Sequence, residues 1–282
     1  MILHPKTQED FNRLVANPPH ALLIGGEEGA GKSVVALEFI RQVLQQSTLE
    51  QDSTFRHCVP EKGTIGIDAI RILQKFLQLK TAGKNQIRRA VLIEDAHTMT
   101  DEAQNALLKI LEEPPADTVM VLTAVPTKDI LPTIYSRVQQ LVIKAPTLAH
   151  ITENLKTYKS IDIERSYTLS NGQMGLLMGL LESNTDHSLV SAIAQAKALL
   201  TKSKFERLTM IDELSKQKHS VPILLKALKK IARSALSQAA KQGKEAQIAN
   251  WHSVLKAVQE SERSLESNPN TKLLLTNLML KI

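Results

Sequence analysis

GGEEGAGKS, residues Gly25 to Ser33, lies between the apolar run ALLI (21–24) and the segment VVALEFIRQVL (34–44). The first reads as a strand and the second, with its helical spacing of apolar residues, as a helix. From Gly26 through Glu27, Glu28, Gly29, Ala30, Gly31 and Lys32 to Ser33 the stretch fits G-x-x-x-x-G-K-[ST] in full. The spacing has a chemical reason. Glycines let the main chain wrap so that successive N–H groups face one anion, and the following helix adds its positive end. Lys32 is then placed to reach the β and γ phosphates of a nucleoside triphosphate, and the Ser33 hydroxyl to ligate Mg²⁺. Glu27 and Glu28 carry the wrong charge for a phosphate and are expected on the outer, solvent side of the loop. The competing interpretation is an ordinary glycine-rich strand–turn–helix corner.

Outward from the loop, the first half of the chain alternates apolar runs with helical patterns. Strands are predicted at 21–26, 55–60, 90–95, 119–125 and 140–144, the second being the weakest, and helices at 31–46, 67–79 and 100–113. In the last helix Ala103, Ala106, Leu107, Ile110 and Leu111 form one apolar stripe. Thr100 suits its N-cap, Asp101 and Glu102 its first turn, and Pro114–Pro115 its end. Short apolar strands between helices predict an α/β fold with a five-stranded parallel sheet covered on both faces. Ligands of such sheets bind beyond the C-terminal ends of the strands. The glycine loop and the acidic pair Glu94–Asp95 both fall there.

Past Pro146 the strand signals stop. TLAHITENLKTYK (147–159) and NGQMGLLMGLLES (171–183) read as short helices. Residues from about 190 onward read as helical almost throughout, with breaks near Ser220–Pro222, Gly243 and Asn268–Pro269. The expected organisation is a P-loop nucleotide-binding domain over 1–145, a small helical lid over 146–190 and an all-α domain over 191–282.

Hydrophobic residues make up 43% of the 282, but aromatic ones only 3%, so the cores must be built from Leu, Ile, Val and Ala, which favours helices and parallel strands over a sandwich. The single cysteine, Cys58, excludes an intrachain disulfide framework and a cysteine-rich zinc site. A reducing, cytoplasmic setting is therefore expected. The start, MILHPKTQEDF, lacks the long apolar region of a signal peptide. No run reaches the roughly 18 apolar residues that a membrane span needs. The net charge of +6 is uneven: residues 196–282 hold 16 Lys+Arg against 7 Asp+Glu, and the rest 19 against 22. A basic tail on a near-neutral body suggests an acidic partner, nucleic acid being the commonest. Solvated lysine-rich helix faces are the alternative, since no aromatics interleave to stack bases.

VLIEDAH (91–97) puts two carboxylates at the end of the third strand. Glu94 is placed to hold Mg²⁺ and Asp95 to polarise an attacking water. Hydrolysing nucleotidases usually carry Asp first and Glu second; here the order is swapped, which alters each reach by one methylene. Misplacement of about 1 Å can cost on the order of 10²-fold in rate. Mg·ATP binding is therefore predicted, with weak or absent turnover. Alternatively, Asp95 caps the turn that follows it. His97 is expected to be a surface or packing residue, because no second histidine lies at metal-binding spacing.

GEEGAGKS, VLIEDAHTMT, AQNALLKILEEPP and LPTIYSR occur in this order and at these spacings. Together they resemble the AAA+ clamp-loader ATPases, most closely the delta-prime and gamma/tau types of bacterial DNA polymerase III. The resemblance covers about residues 1–180; the helical remainder matches in length and character only. It implies ATP and Mg²⁺ as cofactors, sister subunits in a hetero-pentamer, a sliding clamp and primer–template DNA as partners, and no membrane. It also implies that Arg137, in Ser136-Arg137-Val138, is an arginine finger given to a neighbouring subunit's ATP, although the family's next residue, cysteine, is absent. Thr123 falls at the family's sensor-1 position.

Two further departures bear on activity. With Cys58 alone the family's four-cysteine zinc module cannot form, so no zinc is expected. Gly172-Gln173-Met174-Gly175 puts glycine where the family's sensor-2 arginine sits. Swapped acids and a missing cation beside a retained Arg137 imply the stator-like delta-prime type. An active gamma-type motor is the nearer alternative, and a nucleotide-binding switch or adaptor outside replication the more distant one. VPILLKALKKIARSAL (221–236) can serve a collar shared with sister subunits or a self-contained bundle core. Trp251 is expected to pack inside that bundle.

Overall fold

The computed structural model describes residues 1–49, 53–79, 86–125, 130–184, 187–216, 220–266 and 270–282. The expected break at Asn268–Pro269 lies outside them. The chain divides into two units. The first comprises Met1–Asn154 together with the three residues Gln173–Gly175; the second comprises Leu155–Gly172 and Leu176–Ile282.

The first unit holds β1 (Ala21–Gly25), β2 (Phe55–Cys58), β3 (Arg89–Ile93), β4 (Thr118–Ala124) and β5 (Gln139–Val142). They pair in parallel in the order β2-β3-β4-β1-β5. Parallel neighbours need long crossovers, and the helices supply them. These are α2 (Lys32–Leu44), α3 (Ile67–Leu77), α4 (Asp101–Glu112) and the short α5 (Pro132–Tyr135). α1 (Pro5–Ala16) precedes the sheet and α6 (Leu148–Asn154) follows it.

Successive strand residues point to opposite faces, and both faces are covered. Leu22, Ile24, Ala90, Leu92, Val119 and Val121 join Phe11, Phe39 and Ile40 of α1 and α2. Leu23, Val91, Ile93, Met120 and Leu122 join Ile70, Leu107 and Ile110 of α3 and α4. The three central strands are buried at every position. The edge strands β2 and β5 each expose residues, which is why their sequences are less apolar. Thr100 caps α4 as expected, its hydroxyl accepting from Ala103 N at 3.3 Å.

At the N-terminal end of β3 sits a buried charge. Arg89 Nη1 donates to the carbonyls of Phe76, Leu77 and Leu79 at 3.2, 2.8 and 2.7 Å. Its Nη2 donates to Asp117 Oδ1 at 2.8 Å. The last carbonyls of a helix have no partner within its ladder; one guanidinium meets those of Phe76 and Leu77 at the end of α3 and that of Leu79 just beyond it.

The second unit contains α7 (Ser160–Ser170), α8 (Met174–Leu181) from Leu176 on, α9 (Ser188–Leu200), α10 (Lys204–Thr209) and α11 (Ile211–Lys216). The longer α12 (Val221–Lys241) and α13 (Glu245–Glu266) and the C-terminal α14 (Thr271–Lys281) complete it. α12 packs against α9 and α13. Its Leu224, Leu225, Leu228, Ile231 and Ala232 lie in the core at helical spacing. The apolar set of 221–236 thus fills the chain's own bundle, and half-buried Trp251 packs against it. Among the described residues no helix is long and apolar enough to cross a membrane.

Candidate nucleotide site

The glycine loop follows the C-terminal end of β1 and leads into α2. Gly26 N donates to Ala124 O at 3.2 Å, which ties the loop's start to the end of β4. Gly29 and Gly31 both have φ of +86°, a left-handed conformation that suits glycine. Gly31 is the N-cap of α2, so the first turn of that helix opens directly from the loop. Lys32 is buried, and its Nζ donates to Glu27 O at 3.2 Å, back across the loop. Glu27 and Glu28 are exposed, as expected of them. Glu27 nevertheless has a partner: its carboxylate accepts from Gln173 Nε2.

The acidic pair lies just past β3. Glu94 is hydrogen-bonded by the Ser33 hydroxyl, and His57 Nε2 lies 3.4 Å from Glu94 Oε1. The hydrogen bond from His57 is the main reason that the Glu94 carboxyl is held below its ordinary range. Desolvation opposes this; Ser33 and the charges of His57 and Lys32 reinforce it. Asp95 has φ of +46°, and its N–H donates to Thr123 Oγ1 at 3.0 Å. Thr123 is buried in β4 beside Ile24 of β1. The turn after β3 is closed by the Asp95 carbonyl, which accepts from Thr98 N and Oγ1 at 2.7 and 2.8 Å. The Asp95 side chain makes no capping bond there. His97 is half-buried.

The ends of β1, β3 and β4 therefore bring together Lys32, Ser33 and Glu94, with Asp95 and Thr123 adjoining. An ammonium, a hydroxyl, a carboxylate and a glycine-built turn at a helix N-terminus form a donor set that fits a magnesium polyphosphate. Gly175 also belongs to this unit. A Cβ placed on it would lie 2.9 Å from Gly29 O, 3.0 Å from Gly31 N and 3.1 Å from Gly31 Cα. The main chain at 175 thus packs directly on the glycine loop, in space that a larger residue would need.

Arg137 is not part of this group. It stands two residues before β5, at the N-terminal end of the sheet, whereas the loop leaves the C-terminal end of β1. Strands of this length put on the order of 15 Å between the two ends. Its Nη2 donates to Glu112 Oε1 at 2.8 Å, and its Nη1 to Thr133 O at 3.0 Å and Ser136 Oγ at 3.2 Å.

Four partners in this unit were not singled out from the sequence: His57, Gln173, Gln104 and Glu112. Gln104 and Glu112 stand within AQNALLKILEEPP, whose distinctive spelling was the one signal available. His57 and Gln173 are remote in sequence from what they touch.

A family model described as "DNA polymerase III, delta subunit" matches residues 4–147, half of the chain, and covers the glycine loop, the acidic pair and Arg137. The chain belongs to this AAA+ clamp-loader family. The delta-prime subunit of DNA polymerase III from Escherichia coli is 33% identical over 159 residues, covering 48% of this chain and 46% of that protein. The delta-prime subunit from Pseudomonas aeruginosa is 34% identical over 152 residues, covering 48% and 46%. Human replication factor C subunit 5 is 30% identical over 177 residues, covering 58% and 50%. The chain thus spans about half the length of these curated relatives. A gamma-subunit-related protein of DNA polymerase III from Thermotoga maritima shares the fold, with a TM-score of 0.55, 23% identity and 97% of each chain covered.

Proposed function

We propose that this chain is a delta-prime-type subunit of a DNA polymerase III clamp loader. It binds ATP with Mg²⁺ and works with sister subunits to place a sliding clamp on primed DNA in the cytoplasm. The observation that carries this reading is the meeting of Lys32, Ser33 and Glu94 at the strand ends, inside the region matched by the delta-subunit family. The loop amides and Lys32 would hold the phosphates, and Ser33 and Glu94 the Mg²⁺. Asp95, with its swapped reach, would leave hydrolysis by this chain weak. Thr123 would sense the γ-phosphate. Arg137, at the far end of the sheet from its own loop, would complete the site of a neighbour in a hetero-pentamer, where a cation stabilises the transferring phosphoryl group. Division of the helical part into a lid (146–190) and a collar (191–282), the lack of zinc, and DNA contact through the whole assembly belong to the same reading.

Reconstitution of the full chain with its sister subunits tests it. Arg137→Ala should lower clamp-stimulated ATPase of the complex by about 10³-fold or more per affected site. Lys32→Ala should weaken Mg·ATP binding to this chain and leave the finger effect intact. Wild-type ATPase with Arg137→Ala would overturn the finger. A second reading, an active gamma-type motor, is favoured by the intact Lys32–Ser33 pair beside Glu94; rapid ATP turnover by the isolated chain would establish it.

A further inference from the structure

The turn that carries Arg137 is held from both sides by one helix. At its start, Leu131 N donates to Oε1 of Gln104, a residue that is 2% exposed in α4. At its end, Arg137 Nη2 donates to Glu112 Oε1, two turns further along α4. From below, His20 Nε2 lies 3.1 Å from Arg137 O. α4 itself is fixed by Leu107, Ile110 and Leu111, all buried. The turn thus inherits the rigidity of the core.

Glu112 is electrostatically disfavoured at its position. It is the last residue of α4, where the helix presents its negative end and a carboxylate is disfavoured. The guanidinium offsets this. A guanidinium has five N–H donors, and the bonds of Arg137 to Glu112 Oε1, Thr133 O and Ser136 Oγ fix its plane while leaving capacity for an anionic oxygen. Arg137 and Glu112 are 35% and 52% exposed, so the pair is open to an approaching molecule.

We infer that Glu112 is the positioning residue for Arg137: it holds the partly exposed guanidinium in one rotamer before a sister subunit's polyphosphate arrives. The rotamer freedom of a long arginine is then already lost when the subunits meet. This inference rests on the proposed role of Arg137 as a finger acting on a neighbour.

The test uses the full chain in the reconstituted complex, with kcat read at saturating subunit and saturating ATP. Glu112→Ala should lower kcat about tenfold, less than Arg137→Ala, because the cation remains and only its aim is lost. KM for ATP should not change. Glu112→Gln, whose amide oxygen can still accept from Nη2, should recover most of the rate. Glu112→Ala should add nothing in an Arg137→Ala background. Wild-type kcat for Glu112→Ala beside an impaired Arg137→Ala overturns the inference alone. So does an equal further loss in the Arg137→Ala background, or a defect confined to assembly. Wild-type activity of Arg137→Ala removes the finger itself, and with it this role for Glu112.

Discussion

The two ends of β3 carry opposite charges under opposite conditions. At the N-terminal end Arg89 is 4% exposed, tied to three main-chain carbonyls and to Asp117. Just past the C-terminal end Glu94 is half-buried, and its partners are side chains with chemistry of their own: Ser33, His57 and Lys32. Carbonyls at a helix end offer Arg89 nothing to exchange for. A hydroxyl and an imidazole can change partners when an anion or a metal arrives. On the proposed function, one end of the strand serves the fold and the other binding, as ligand sites beyond the C-terminal ends of open parallel sheets would have it.

The largest effect expected from this contrast is at Arg89. Arg89→Ala leaves Asp117 paired with Arg88, at 3.2 Å, and strips the end of α3. Breaking a buried pair costs about 3–5 kcal/mol, and the remaining Arg88 sets the expectation at the lower end of that range. Urea unfolding would measure it. Arg137 provides the control at the same end of the sheet. It too has a carboxylate at 2.8 Å, but the pair is exposed, so Arg137→Ala should cost no more than about 1 kcal/mol. Equal losses at the two arginines would break the distinction between a fixed charge and one held out for a partner.

Gly175 tests the binding end. Within a helix, alanine is favoured over glycine by about 1 kcal/mol. Here the new Cβ would stand 2.9 Å from Gly29 O and 3.0 Å from Gly31 N, and both are main-chain atoms that cannot rotate away. Gly175→Ala should therefore destabilise the chain by about 1–3 kcal/mol, as overpacking does, and alter Mg·ATP affinity with it. A stabilised variant would mean that the loop yields easily. Gly175→Arg, the change suggested by the family's sensor 2, meets the same backbone and should not restore a working cation without moving it.

The sequence exposed the sheet because burial on both faces leaves each central strand as an apolar run. The glycine loop was legible for a related reason, since its backbone geometry demands particular residues at fixed positions. α1 left a weaker trace. His4, an uncommon cap, begins it, and only Thr7, Phe11 and Leu14 of its residues are buried. α5 spans four residues, too few for any periodicity. α7 buries only Ile163 and Ser170, so it shows little apolar stripe. The partners of the site were hidden by distance along the chain: Gln173 meets a residue 146 positions away. His57 meets Glu94 because β2 and β3 pair, with His57 beside Leu92, a neighbourhood that spacing alone does not encode.

The smallest expected effect lies at Glu94 and concerns pH. Its carboxyl is held below the ordinary value of 4.5, chiefly by the hydrogen bond from His57. A carboxyl whose folded value is depressed contributes stability that is present above its unfolded value and is lost as pH falls through the folded one. Glu94→Gln should therefore lower stability slightly near neutral pH, and the difference from wild type should shrink well below pH 4.5. Urea unfolding at both pH values reads the difference directly. Arg89→Ala should behave otherwise, because most of the bonds it removes go to main-chain carbonyls, which do not titrate. If the Glu94→Gln difference were the same at both pH values, the native state would not be favouring the charged carboxylate. The two ends of β3 would then differ in burial alone.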